Sequence, residues 1–126
     1  MEIIKMFTQD ATNEIVSFTS RPPREGEVDG KNYHFISKDE FLKKIENNEM
    51  FEYAQYNDWY YGTAIDSLDK DLINIGVFNR QGIEQLYNNE QINLFIVQMI
   101  SCGKTRLLRS LHREQHPDVD EIVRRY

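Results

Sequence analysis

The stretch SFTSRPPREGEVDGKNYHF, residues 17–35, followed by NEMFEYAQYNDWYYGT, residues 48–63, decides the reading of this chain. The first segment holds Arg21 and Arg24, three residues apart, with Pro22 and Pro23 between them. Each guanidinium presents a planar fork of donors that matches phosphate oxygens. Two prolines lower the entropy lost in holding such a turn. Tyr33 and Tyr61 can add phenolic donors. Taken alone, Arg-Pro-Pro-Arg reads equally well as a surface turn with exposed arginines. Glu52, in a strand of mixed polarity, reads by itself as an exposed acid.

The elements around these segments follow from periodicity and punctuation. EIIKMF (2–7) and EIVSFT (14–19) are strand-like runs. Thr8 to Asn13 is too short for a crossover helix, so the two strands pair antiparallel or are not neighbours. Proline ends the second run at Pro22, because it supplies no N–H to a central strand. Tyr33-His34-Phe35 is a short strand. Ser37 with Glu40 three residues on forms a capping box that opens a helix at 38–47, with Phe41, Leu42 and Ile45 on one face. Met50 to Asn57 is a strand with Phe51, Tyr53 and Tyr56 packed, and Asn57-Asp58 turns it into Trp59-Tyr60-Tyr61-Gly62. A helix is expected at 64–70. Residues 72–78 and 92–100 read as strands covered on both faces. Helices are expected at 80–87, stopped by Asn88-Asn89, and at 104–115, with Leu107, Leu108 and Leu111 inward. Pro117 breaks the chain before a last helix capped by Asp118. Strands alternating with helices in the second half predict an α/β fold.

Composition narrows the function classes. The 126 residues suit one domain, and an apolar share of 40% supplies an ordinary core. Acids outnumber bases 21 to 15, which disfavours non-specific nucleic-acid binding. The imbalance is local: residues 1–100 carry net −8 and residues 101–126 net +2. No apolar run approaches the ~20 residues needed to span a bilayer, and MEIIKMF does not read as a signal peptide. A single cysteine, Cys102, excludes an internal disulfide framework and suggests a cytoplasmic protein; it is expected to pack beside a buried strand. His34, His112 and His116 lack the spacing of a zinc site and read as neutral surface residues. No metal, nucleic acid or membrane is expected as a partner.

Together, the two quoted segments resemble the nucleoside-monophosphate-binding part of guanylate kinase, strongly over about residues 14–63 and more weakly to the end. The likeness is to guanylate-kinase-like proteins of the kind found in Gram-positive bacteria and their phages. It implies an α/β fold: a truncated P-loop-kinase-like core with a small mixed β nucleotide-binding subdomain. One domain would span 1–126, with the subdomain at about 20–63 and a residual core and lid-like region at 64–126. By resemblance, Arg21, Arg24, Tyr33 and Tyr61 bind the GMP phosphate, Glu52 reads guanine with Thr63 beside it, and Ser17 lies near the base. Guanine presents N1–H and N2–H₂ as adjacent donors; one carboxylate accepts both, and adenine lacks that pattern. In the family's Asp-x-Asp-x-Gln-Gly motif, Val77 and Asn79 stand where the aspartates would be, which removes two negative charges; Asn79 is kept among the GMP-binding residues. Arg109, Arg113, Arg124 and Arg125 resemble lid arginines, and read alone they are a basic helix surface.

Guanylate kinases place a glycine-rich loop ending in Gly-Lys-Ser/Thr after their first strand, to hold the ATP phosphates and Mg²⁺. Here EIIKMF is followed by Thr8-Gln9-Asp10-Ala11-Thr12-Asn13, without glycine or lysine. Cys102-Gly103-Lys104-Thr105 does not replace it, because Gln98 stands where the pattern needs a glycine; it is expected to start the lid-bearing helix. The expectation is a protein that binds GMP or dGMP without phosphoryl transfer, acts as a regulatory or inhibitory effector, requires no cofactor, and does not use ATP or Mg²⁺. A protein partner or a second copy would cover the sheet face left by the missing helix. The location would be cytoplasmic, the host cytoplasm if phage-encoded. Two alternatives stand: an interaction module that uses the same surface for a phosphorylated or acidic partner, and an active kinase with an unconventional donor site.

Overall fold

A capping box, a two-residue hairpin turn and a helix anchored on a strand edge organise the described part of the chain. The computed structural model describes residues 11–90, 92–113 and 116–123. The strand expected at 2–7, and Arg124 and Arg125, lie outside the described residues. In chain order the elements are β1 (Thr12–Glu14), β2 (Phe18–Thr19), β3 (His34–Phe35), α1 (Lys38–Glu46), β4 (Met50–Tyr56), β5 (Trp59–Ala64), a 3-10 turn (Ile65–Ser67), β6 (Ile73–Ile75), α2 (Arg80–Tyr87), α3 (Gly103–His112) and α4 (Val119–Val123). Two compact units result, one ending at Leu94 and one beginning at Phe95.

The first unit carries a four-stranded mixed sheet in the order β3-β2-β5-β4. β4 and β5 form an antiparallel hairpin in which Tyr56 pairs with Trp59. The connecting Asn57 takes a left-handed conformation, φ 53°, which asparagine tolerates better than most residues. β2 pairs antiparallel with β5 and parallel with β3. α1 opens as the sequence predicts: Glu40 N–H donates to Ser37 Oγ, and Ser37 N–H donates to Glu40 Oε2 at 2.8 Å. Its Phe41 is fully buried and stacks on Tyr60 at 5.5 Å. α2 is fastened to the free edge of β4 by one side chain. Gln85 Oε1 accepts from Tyr53 N–H at 3.1 Å, and Gln85 Nε2 donates to the Tyr53 carbonyl at 2.6 Å. An edge strand otherwise presents unpaired backbone groups, so this amide both satisfies them and positions the helix.

The α/β class holds, with several local differences. The run 14–19 is two pieces: β1 pairs in parallel with β6, whereas β2 belongs to the four-stranded sheet. In β4 the expected packing of Phe51, Tyr53 and Tyr56 is met only in part, by a half-buried Phe51. Glu52 and Ala54 are buried, and Tyr53 and Tyr56 are exposed, because α2 packs on β4 and covers the Glu52 face. The helix expected at 64–70 is only the 3-10 turn. Asn74 accepts from Asp69 N–H and donates to the Asp69 carbonyl, and such local pairing competes with helix. Only Ile73–Ile75 of the 72–78 run forms a strand, with Ile75 buried and Ile73 exposed. Residues 92–100 form no strand; Phe95 is 89% exposed and Met99 88%.

The second unit holds α3 and α4, which contact each other. Leu107 and Leu111 are half-buried while Leu108 is exposed. Gly103 does start a helix, with Cys102 at its N-cap position. Cys102 is exposed, its Sγ 3.0 Å from Thr105 Oγ1, and not packed beside a strand. His34 is half-buried against Phe18, ring to ring at 4.6 Å, and is not a plain surface histidine. Among the described residues no helix is long and apolar enough to cross a membrane, and no cluster of His, Cys, Asp or Glu could hold a metal ion.

Candidate functional site

The interior of the first unit is unusually polar. Thr19, Ser20, Arg21, Glu52 and Thr63 are buried alongside Phe41, Ala54, Ala64, Ile75 and Leu86. Buried polar groups persist where they are hydrogen-bonded or serve a ligand. Thr19 and Ser20 are bonded to Tyr60: Thr19 Oγ1 donates to its carbonyl and Ser20 Oγ accepts from its N–H. The remaining three mark two parts of one site.

Glu52 sits on β4, opposite Thr63 of β5. It is 6% exposed, and among the described residues no Lys or Arg pairs with it. Burial pushes its carboxyl above the usual carboxylate range, and the neighbouring Thr63 groups pull partly the other way. Thr63 Oγ1 is buried and makes no hydrogen bond among the described residues. The first turn of α2 closes the other side. Asn79 caps that helix, its Oδ1 accepting from Gly82 N–H at 2.8 Å. A β-carbon on residue 82 would stand 2.5 Å from Glu52 Oε2, so only glycine lets the helix approach the carboxylate this closely. The positive end of the helix dipole therefore faces a buried acid, which favours its ionised form.

In front of Glu52 opens a cavity of about 250 Å³ lined by Ser17, Tyr33, Glu52, Tyr56, Tyr61, Gly62, Val77, Phe78 and Asn79. Tyr33 and Tyr61 meet edge-to-face at 6.1 Å, and burial raises the Tyr33 phenol. Beside them lies the Arg-Pro-Pro-Arg turn. Arg21 is buried, its guanidinium carbon 5.6 Å from the Tyr33 ring centre and 5.8 Å from that of Phe35. Its fork is bidentate to Glu27, with N–O distances of 2.9 and 3.0 Å. Burial works against its charge, but Glu27 and the Tyr61 hydroxyl outweigh this and keep it protonated. Burial likewise opposes the Glu27 charge, and Arg21 with the Arg24 N–H pulls that carboxyl below its usual range.

Of the residues expected from sequence, Ser17, Tyr33, Glu52, Tyr61 and Asn79 share this cavity. Thr63 lies across the ladder from Glu52 and does not line it. Arg21 stands next to the cavity through Tyr33, and the Arg24 backbone is tied to Glu27. Arg109 on α3 and Arg113, the residue that caps its C-terminus, lie in the second unit with Thr105, Leu108 and His112 around a shallow surface groove. Sequence reasoning did not assign roles to Glu27, Tyr56 or Phe78. The spacing Arg-x-Gly-Glu was a usable signal for Glu27, because a glycine turn returns the next side chain toward the arginines.

A sequence model of the family described as guanylate kinase matches residues 2–115. The chain is similar to the guanylate kinase of Clostridium tetani, 45% identical over 85 residues covering 64% of this chain and 41% of that one. It is 36% identical to that of Maricaulis maris over 116 residues, 86% of this chain and 51% of the relative. The crystal structure of guanylate kinase from Anaplasma phagocytophilum superposes with a TM-score of 0.60 at 28% identity, covering 71% of this chain and 50% of that one. The chain thus spans about half the length, or less, of these curated relatives.

Proposed function

Because this chain belongs to the guanylate kinase family, we propose that its cavity binds GMP or dGMP. The observation that carries the proposal is Glu52: a buried carboxylate on the cavity wall, unpaired by any cation among the described residues, beside a buried Thr63 hydroxyl that also lacks a partner. The Thr63 groups offset only part of the burial of Glu52, and under-satisfied buried acceptors are costly. Guanine offers two adjacent donors, N1–H and N2–H₂, to one carboxylate. Asn79, whose Oδ1 is occupied in capping α2, still has its Nδ2–H₂ to give to guanine O6. At the other end, Tyr33, Tyr61, Arg21 and Arg24 supply donors for the phosphate.

The second part of the proposal is that these 126 residues bind the nucleotide without transferring phosphate to it. What supports this is the run Thr8 to Asn13 after the first apolar segment, with neither glycine nor lysine, and Gln98 five residues before Gly103. Phosphoryl transfer depends on backbone N–H groups and a lysine that position the donor phosphates. We place the protein in the cytoplasm, where its soluble ligand is found.

Titration calorimetry with GMP and AMP tests the first part. The expected result is GMP binding with AMP weaker by about 10²-fold or more; no GMP binding, or equal affinity for AMP, overturns it. Incubation with ATP and GMP while ADP is followed tests the second, and sustained ADP formation overturns that part.

A further inference from the structure

Glu27 follows a turn that only glycine makes comfortably. Glu27 N–H donates to the Arg24 carbonyl at 3.1 Å, and Gly26 between them has φ +80°, as the third residue of a type II turn requires. The turn sends the Glu27 side chain back over the Arg-Pro-Pro-Arg segment. There its two oxygens take three donors: Arg21 Nη2 at 2.9 Å on Oε1, and Arg21 Nη1 at 3.0 Å with Arg24 N–H at 2.7 Å on Oε2. Arg21 Nη1 also donates to the Pro22 carbonyl at 2.8 Å. Three of the five N–H groups of Arg21 are therefore committed within the loop. Two remain for the Tyr61 hydroxyl and a ligand. With aromatic rings of Tyr33 and Phe35 beside it, the guanidinium is held in one orientation.

We infer that Glu27 is a positioning residue for the phosphate end of the cavity: it fixes Arg21 and the Arg24 backbone in the arrangement that receives a phosphate, without touching the ligand itself. The inference rests on the GMP reading above. An arginine that must be ordered on binding gives up part of its interaction energy, whereas one already held does not. Glu27 also offsets the charge of Arg21, so the contribution of Arg21 is directional hydrogen bonding more than net attraction.

The test compares GMP with guanosine, which lacks the phosphate, on wild type, Glu27→Ala and Glu27→Gln. Glu27→Ala is expected to weaken GMP about tenfold and to leave guanosine within about twofold. Glu27→Gln, which keeps one acceptor for Arg21, is expected to fall between them and carries the comparison if the alanine variant does not fold. Retained guanosine affinity shows an intact base pocket, which a purely structural role for Glu27 would not leave. Equal losses for both ligands overturn the inference. So does GMP affinity that is unchanged, or that rises because Glu27 had competed for Arg21. A wild type that prefers GMP over AMP, with Glu27→Ala unchanged, overturns this inference alone. A wild type that binds neither ligand removes the GMP reading and this inference with it.

Discussion

Replacing Glu52 by glutamine is expected to push stability and binding in opposite directions. In the free protein the Glu52 carboxylate is buried with no cation beside it among the described residues, and the Thr63 groups offset only part of that burial. Such a group costs about 1–3 kcal/mol. The N-terminal end of α2, brought close by Gly82, offsets roughly 0.3–1 kcal/mol of that. Glutamine is neutral and close in volume, so Glu52→Gln is expected to stabilise the fold at neutral pH by about 1 kcal/mol, roughly 3–5 °C in Tm. The pH dependence fixes the sign. Burial raises the folded-state pKa of Glu52, so the fold holds this proton more tightly than the unfolded chain does. Its contribution is favourable below the ordinary carboxylate pKa and is lost as pH rises through the raised value. The advantage of glutamine should therefore be largest at neutral pH and shrink toward acid. GMP binding should move the other way. The amide presents one acceptor and turns its N–H₂ toward a guanine donor, at a cost of about 3 kcal/mol, or about 10²-fold in Kd. Thermal melts across pH, paired with calorimetry, measure both quantities. A variant that binds GMP within a few-fold of wild type, or that melts lower at pH 7, refutes the assignment of Glu52 as the unpaired base-reading acid.

Two further outcomes follow from the same geometry. Thr63→Val removes a buried hydroxyl that has no partner among the described residues; Tm should hold or rise by an amount worth about 1 kcal/mol or less, while GMP affinity falls several-fold, measured by the same titration. Gly82→Ala would ordinarily gain up to about 1 kcal/mol in a helix, but its β-carbon would meet Glu52 Oε2 at 2.5 Å. Its melting temperature should show none of that gain, and GMP should bind about tenfold more weakly as the carboxylate is displaced.

Much of the local structure was legible because its causes are local. Ser37 and Glu40 satisfy each other within one helical turn, so four residues suffice to place the start of α1. Asn57-Asp58 closes the hairpin by its own backbone preference. Asn88-Asn89 ends α2 where expected. The long apolar runs depart from their expected strands for the converse reason. Residues 92–100 have strand-like composition, but a strand needs a neighbour to bond with, and none pairs with them among the described residues.

The site divides along the same line. The residue types for a guanine nucleotide, an acid, two arginines, two tyrosines and hydroxyls in fixed order, are present in the sequence alone, and so is their likeness to a family. Which of them meet is a tertiary matter. Ser17, Glu52 and Asn79 reach one cavity from separate segments. Glu52 faces inward because α2, anchored through Gln85 some thirty residues further on, covers that side of β4. A strand's pleat offers both faces on equal terms. Alternation alone could not choose between burying Phe51 with Tyr53 and burying Glu52 with Ala54; the packed helix did.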